Sequence, residues 1–186
     1  EYDGAIVATL FYDEVKQFSS KLDADSIPYI YIDSTIEGQN NLSYYGVDSF
    51  KSGYIAAKLL IREIGDTSDI LVAYMKFDRS NISVQMQARL DGIERYLVES
   101  GYSGRMHHLE FDPVQTDVNI ATLTEFLDNV SGKIGGIVLN SRVYEFAAVT
   151  EKLDSSLRDK ITLAGFDAIT HNSHALKRGL INFLIA

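Results

Sequence analysis

Residues 135–146 read GGIVLNSRVYEF. Within them a short apolar run, 136–139, stops abruptly at Asn140-Ser141. A helical pattern begins at once, with Val143, Phe146, Val149 and Leu153 spaced by three, three and four. A strand buried on both faces stays apolar throughout, whereas a helix repeats its apolar stripe every ~3.6 residues. The stretch therefore predicts a buried strand feeding a helix through a very short turn. Parallel strands need helical crossovers of this kind. In an open α/β sheet the ligand crevice lies just outside the carboxyl ends of the strands, which puts Asn140 at its edge.

The same unit recurs along the chain. Residues 5–10 predict a strand introduced by Asp3-Gly4, then a helix from about Asp13 with Val15, Phe18 and Leu22 on its apolar face. Acidic residues in the first turn of that helix suit its dipole. Pro28 opens a strand over 29–32 that ends at Asp33-Ser34, and 42–47 make a third short strand. Asp48-Ser49 is an N-cap signal for a helix carrying Phe50, Tyr54, Ala57, Ile61 and Ile64, closed by Gly65. A strand over 70–75, a polar loop over 76–82 and a long helix through Met86, Leu90, Ile93 and Leu97 follow. Next come a strand over 106–111 and a helix through Ile120, Leu123, Leu127 and Val130. After the opening unit the chain adds a strand over 161–166, a short helix around 174–177 and a strand over 180–185.

From Asp48 onward helix and strand alternate four times before the last short helix and strand. That order predicts an α/β fold with a doubly wound parallel sheet. The boundary falls at 44–48, so residues 1–47 read as part of an N-terminal lobe and 48–186 as a complete C-terminal lobe. The first residues, EYDGAIVATL, look like the inside of a domain, and the last, LINFLIA, end within an apolar run. A fragment of a longer protein is the expectation.

Composition removes several function classes. The net charge is −9 and no run of Lys and Arg exceeds two, so a nucleic-acid surface is not expected on this chain. Cysteine is absent, which rules out disulfides, thiolate nucleophiles and Cys-based metal sites. No apolar run approaches the roughly 20 residues that span a bilayer. No glycine-rich phosphate cradle follows a strand. His107 and His108 are neighbours in a strand pattern and face opposite sides, and His171 with His174 makes at most a weak metal pair. Neither a metal nor a cofactor is expected.

The polar residues at strand ends carry the functional reading. They are Asp33, Asn140 and Asp167, joined by Arg89 from the helix after the 70–75 strand. Carboxylates accept from hydroxyls, the Arg fork donates in a fixed plane, and Asn does both. Such a set suits a neutral polyhydroxyl ligand. Tyr44 and Tyr144 are placed to stack on the apolar face of a sugar ring, and Asn81 and Ser141 are further candidates for contact. Each residue alone is an ordinary turn or cap choice. Their convergence on one crevice is the signal.

Six ordered stretches sharpen that reading: DGAIVATL, IPYIYIDS, YYGVDSFKSGYIAAKLL, ARLDGIERYL, GGIVLNSRVYE and ITLAGFDA. Together they resemble the effector-binding region of the LacI/GalR family of transcriptional regulators, which shares the type I periplasmic binding protein fold with exported sugar-binding proteins. The resemblance implies roles position by position. Asp33 matches an aspartate at the end of an N-lobe strand that faces the effector. Tyr44 matches an aromatic hinge position that lines the pocket. Arg89, three residues before Gly92, matches the arginine of R-x-x-G that bonds effector hydroxyls. Asn140 matches an asparagine usually followed by aspartate; Ser141 stands there instead. Asp167, preceded by Phe166, matches the aspartate of a G-Y/F-D motif.

The resemblance further implies a cytoplasmic, homodimeric regulator in which closure on a sugar-like effector controls DNA binding allosterically. The helix-turn-helix that would contact DNA, the first two N-lobe strands and a glutamine usual after the last strand are not in these 186 residues. A membrane is not an implied partner. The alternative is the solute-binding component of a sugar ABC transporter. A small α/β enzyme using Asp33 or Asp167 as acid or base is a weaker alternative, because no nucleophile–base pair and no strand-end His accompany them.

Overall fold

The computed structural model describes residues 2–76 and 82–186. β1 (Ala5–Ala8), α1 (Tyr12–Ala24), β2 (Tyr29–Ile32) and β3 (Ser43–Tyr45) come first. α2 (Ser49–Ile64), β4 (Asp69–Met75), α3 (Val84–Ser100), β5 (Met106–Phe111) and α4 (Thr116–Asp128) follow. The chain continues through β6 (Ile134–Val138), α5 (Val143–Thr150), α6 (Ser155–Arg158), β7 (Ile161–Phe166), α7 (Thr170–Lys177) and β8 (Phe183–Ile185). One parallel sheet has the order β1-β2-β3, and a second has the order β5-β4-β6-β7-β8. The expected α/β parallel architecture is the one observed.

In the larger sheet the chain steps from β4 outward to β5, then crosses to β6 on the other side of β4. The winding reverses there, and in open α/β sheets such a switch point, at the carboxyl ends of the strands, is where ligands bind. All of β4 is buried. Its side chains alternate between faces, so Leu71, Ala73 and Met75 pack with Phe146 and Leu163, while Ile70, Val72 and Tyr74 pack with Leu60, Ile93 and Phe166. That double burial is why the strand reads as one unbroken apolar run.

α2 starts as its sequence predicts, with the Asp48 carboxylate accepting from the Lys51 amide at 2.9 Å. α3 is capped by Ser83, whose hydroxyl accepts from the Met86 amide at 3.2 Å. These two helices meet backbone to backbone. A Cβ on Gly53 would lie 1.9 Å from the Arg89 carbonyl oxygen, and one on Gly92 would lie 2.0 Å from that of Phe50. Only glycine permits this approach, and it sets the height at which Arg89 stands above the sheet.

Several expectations need correction. Periodicity puts Phe18 and Phe50 on apolar faces, yet they are exposed. α1 instead buries Val15, Ser19 and Leu22, because the Ser19 hydroxyl pairs with that of Tyr31 at 2.6 Å. In α2 the close contact with α3 turns the stripe to Gly53, Ala56, Ala57, Leu60, Ile61 and Ile64. β1, β3 and β8 are shorter than their apolar runs, and the four-residue α6 is too brief to show a period. β6 begins at Ile134 and stops before Leu139, whose carbonyl turns to Arg89.

Among the described residues the small sheet is covered on one face only. Val7, Tyr29 and Tyr31 pack with Val15 and Leu22 of α1. On the other face the register aligns Ile6 with Ile30, and Ala8 with Ile32 and Tyr45. There Ile6 is 70% and Tyr45 80% exposed. Apolar runs such as 5–8 and 29–32 are usual in strands covered on both faces.

Candidate functional site

Arg89 is an almost fully buried cation, 1% exposed, carried by α3 to the carboxyl ends of β6 and β7. Its Nη1 donates to the Leu139 carbonyl at 2.7 Å. Nη2 reaches both carboxylate oxygens of Asp167, at 3.3 and 3.4 Å. The guanidinium carbon stands 4.1 Å from the centre of the Phe166 ring, a cation–π contact. Nε is buried and has no hydrogen-bond partner among the described residues. Burial pushes the guanidinium below its ordinary pKa, and the carboxylates of Asp167 and then Asp33 oppose that shift. A guanidinium has five N–H donors, and among the described residues the one on Nε has no acceptor.

The two aspartates share a backbone device. Asp33 and Asp167 each follow directly on a strand and each adopt a left-handed conformation, with φ of 77° and 67°. Few residues other than Gly, Asn and Asp take that conformation. It turns the chain sharply at the strand end. The Asp33 amide donates to the Tyr45 carbonyl at 3.2 Å, and the Asp167 amide to that of Ile185 at 2.8 Å. Buried Thr9 steadies the first turn, its hydroxyl donating to the Ser34 carbonyl at 2.7 Å. Asp33 itself is exposed, and Asp167 is half-buried.

Of the residues expected at the site, Arg89 and Asp167 touch, and Asn140 follows directly on the carbonyl that Arg89 holds. Asn140 Oδ1 accepts from the Arg142 amide at 2.9 Å, which shapes the turn into α5. Asp33 reaches Arg89 through its field. Tyr44 is a brace: its hydroxyl donates to the carbonyls of Val47 at 2.6 Å and Asp33 at 3.0 Å. Burial, then the carboxylates of Asp33 and Asp48, push that hydroxyl's pKa up. Tyr144 stacks on His171 at 4.9 Å and lines a groove of about 410 Å³ with Ala148, His174 and Ala175. None of Asp33, Arg89, Asn140 and Asp167 lines that groove. Ser141 offers its carbonyl to Asn172 at 2.8 Å. Asn81 lies outside the described residues.

Two contributors escaped the sequence reading. Gly53 looks like a defect in a helix, and only its contact with the Arg89 backbone gives it a purpose. Asn172 lies within α7 and is fully buried. Its signal was an asparagine, a poor helix former, inside a short helical pattern. No group of three or more His, Cys, Asp or Glu among the described residues is arranged to hold a metal ion. No helix among them is long and apolar enough to cross a membrane.

A parallel α/β layer with Arg89, Asn140 and Asp167 gathered at the carboxyl ends of its strands is the frame of a binding domain. The chain belongs to the periplasmic binding protein domain family, which matches residues 1–186. It is similar to the crystal structure of a candidate LacI transcriptional regulator from Bacteroides fragilis. The identity is 27%, the TM-score 0.81, and the match covers 98% of this chain and 62% of that one. GanP, a glucose-galactose binding protein from Geobacillus stearothermophilus, shares the fold at 20% identity and a TM-score of 0.78, over 97% of this chain and 62% of its own. So does a Caulobacter myo-inositol binding protein bound to myo-inositol, at 19% identity and a TM-score of 0.76, over 96% and 60%. The chain thus spans about three fifths of the length of these structures. No curated protein sequence matches it.

Proposed function

We propose that this chain is the effector-binding part of a LacI-type transcriptional regulator, and that its ligand is a neutral sugar or related polyol. The observation that carries the ligand class is Arg89: a buried guanidinium, with Nε unpartnered among the described residues, beside the carboxylate of Asp167. One cation against the two carboxylates Asp33 and Asp167 favours an uncharged, hydroxyl-bearing ligand over an acidic or phosphorylated one. In this reading Asp33, Arg89, Asn140 and Asp167 bond hydroxyls, and Tyr44 lines the pocket from the hinge. Ser141 and Tyr144 flank it. Residues 1–47 belong to an N-terminal lobe and 48–186 to the C-terminal lobe, and the ligand draws the two together. The chain binds and does not turn over its ligand. A cytoplasmic homodimer, reading DNA through a domain outside these residues, completes the proposal.

The similarity to the Bacteroides fragilis protein supports the regulator. The names of GanP and the myo-inositol binding protein favour a second reading, a solute-binding component of a sugar transporter. Sequence upstream of Glu1 separates them: a helix-turn-helix identifies the regulator, an export signal the transporter component. Calorimetric titration of the protein with free and phosphorylated sugars tests the site. Stoichiometric binding of a free sugar is expected, and turnover of any of them overturns the reading.

A further inference from the structure

Asn172 is 0% exposed, and its amide is fully engaged. Oδ1 accepts from the Tyr144 amide at 3.1 Å. Nδ2 donates to the carbonyls of Ser141 at 2.8 Å, Asp167 at 2.8 Å and Phe166 at 2.9 Å. Two hydrogens serving three acceptors means that one bond is shared. The four partners come from the segment after β6, the first turn of α5 and the end of β7. α5 has no side-chain cap of its own, because Arg142 stands at the N-cap without such a bond. The Tyr144 amide belongs to the helix start and has no partner within α5, and Asn172 satisfies it from another element. On the other side Asn172 holds the carbonyls on either side of the Phe166–Asp167 link, where the backbone turns left-handed.

We propose that Asn172 is the positioning residue of the crevice. It ties the β6–α5 turn that bears Asn140 to the β7 turn that bears Asp167. The separation of these two side chains, and the aim of Asp167 at Arg89, follow from that tie. The proposal rests on the reading of these residues as polyol ligands. Only a short primary amide fits the place. A carboxylate of the same shape has no donor and would set a negative charge against three carbonyl oxygens. A hydroxyl would have one donor for three acceptors.

The test uses Asn172→Ala and Asn172→Asp, with Asn172→Ser as a milder second variant should Asn172→Ala not fold. Amide hydrogen exchange is followed residue by residue. Calorimetry is run with D-glucose, D-galactose, D-xylose, D-arabinose and myo-inositol as probes. Expected is at least a tenfold rise in exchange at Tyr144 and in segments 140–144 and 167–169, with β4 and β6 unchanged. Affinity for whichever probe binds falls at least tenfold in the single variant. In a background carrying both Asn140→Ala and Asp167→Ala the same change costs less than threefold, because the residue acts through those two side chains. Equal losses in both backgrounds, unchanged affinity, or a uniform rise in exchange through β4 and β6 overturns the proposal. If no probe binds the unaltered protein, the polyol reading fails, and the exchange pattern alone decides whether Asn172 holds the two turns together.

Discussion

Arg89 and Asp167 stand 78 residues apart in the chain and 3.3 Å apart in space. The contact is unequal, for the Arg89 side chain is 1% exposed and that of Asp167 35%. The cation has lost its water, while the carboxylate keeps part of its own. Stability alone is a weak reason for such a pair, since desolvation offsets most of the attraction. Under the proposed function, a ligand oxygen at Nε, unpartnered among the described residues, is a better reason.

Arg89→Met should separate binding from folding. It removes the desolvated charge, keeps apolar volume over Phe166, and leaves Asp167 with access to water. The Leu139 carbonyl loses one donor, worth about 1 kcal/mol. Stability by chemical denaturation should therefore change by no more than ~1–2 kcal/mol, while sugar binding is lost. Asn140→Ala and Asp167→Ala should each weaken binding by about 1–3 kcal/mol. Unchanged affinity in all three variants would remove these residues from the site.

Gly53→Ala should be among the more damaging single-methyl changes in the chain. The added Cβ meets the Arg89 carbonyl at 1.9 Å, and a backbone atom cannot swing aside. α3 must shift, and overpacking of this kind costs about 1–3 kcal/mol or more. Because α3 carries Arg89, ligand affinity should fall along with stability. Denaturation and titration of the same sample check both, and a variant as stable as the parent would contradict the observed helix crossing.

Acid should find a weak point at Asp69, at the end of β4 away from the crevice. Burial raises its pKa, but a hydrogen bond from His107 at 2.7 Å, the Arg105 amide and the Arg105 guanidinium together hold it below the ordinary value. A carboxyl lower in the folded than in the unfolded state stabilises above the unfolded pKa, near ~4. That contribution disappears as the pH falls through the folded value. Unfolding free energy measured from pH 6 down to pH 2 should decline more gently in Asp69→Asn than in the parent. Ligand affinity at neutral pH should be the same in both.

The bare face of the small sheet predicts self-association. Exposed Ile6 and Tyr45 flank Ile30 and Ile32, and contiguous apolar patches of this kind are seldom left open in soluble monomers. Light scattering at tens of micromolar should give a mass above the 20.8 kDa of one chain. Ile6→Lys should shift it toward the monomer with a stability change within about 0.5 kcal/mol, the range for an exposed position. A monomeric parent chain would mean that this face needs no cover.

Much of the larger sheet could be read directly. β4 and β7 announce themselves as apolar runs because both of their faces are buried, and Asp48 and Gly65 mark the ends of α2 through local chemistry. The strand-end residues Asp33, Asn140 and Asp167 were visible for the same reason: a turn at a fixed place in a βα unit needs them. Phe18 and Phe50 misled because periodicity tells which residues share a face and says nothing about what covers it. α1 has Ser19 bonded to Tyr31, and α2 has α3 against its glycine, so each helix is rotated from the stripe that its large side chains suggest.

Sequence by itself determined the order of strands and helices, the parallel class of the sheet and the polar residues that end its strands, since all of these follow from contacts within a few residues of chain. Only the tertiary structure decided that Arg89 is buried, that it reaches Asp167 and Leu139, and that Asn172 joins two turns 31 and 5 residues away. Those choices depend on the reversal of winding between β4 and β6 and on the glycine contact that lays α3 across α2. The side chains concerned meet across long stretches of chain, and no local pattern encodes the distance between them.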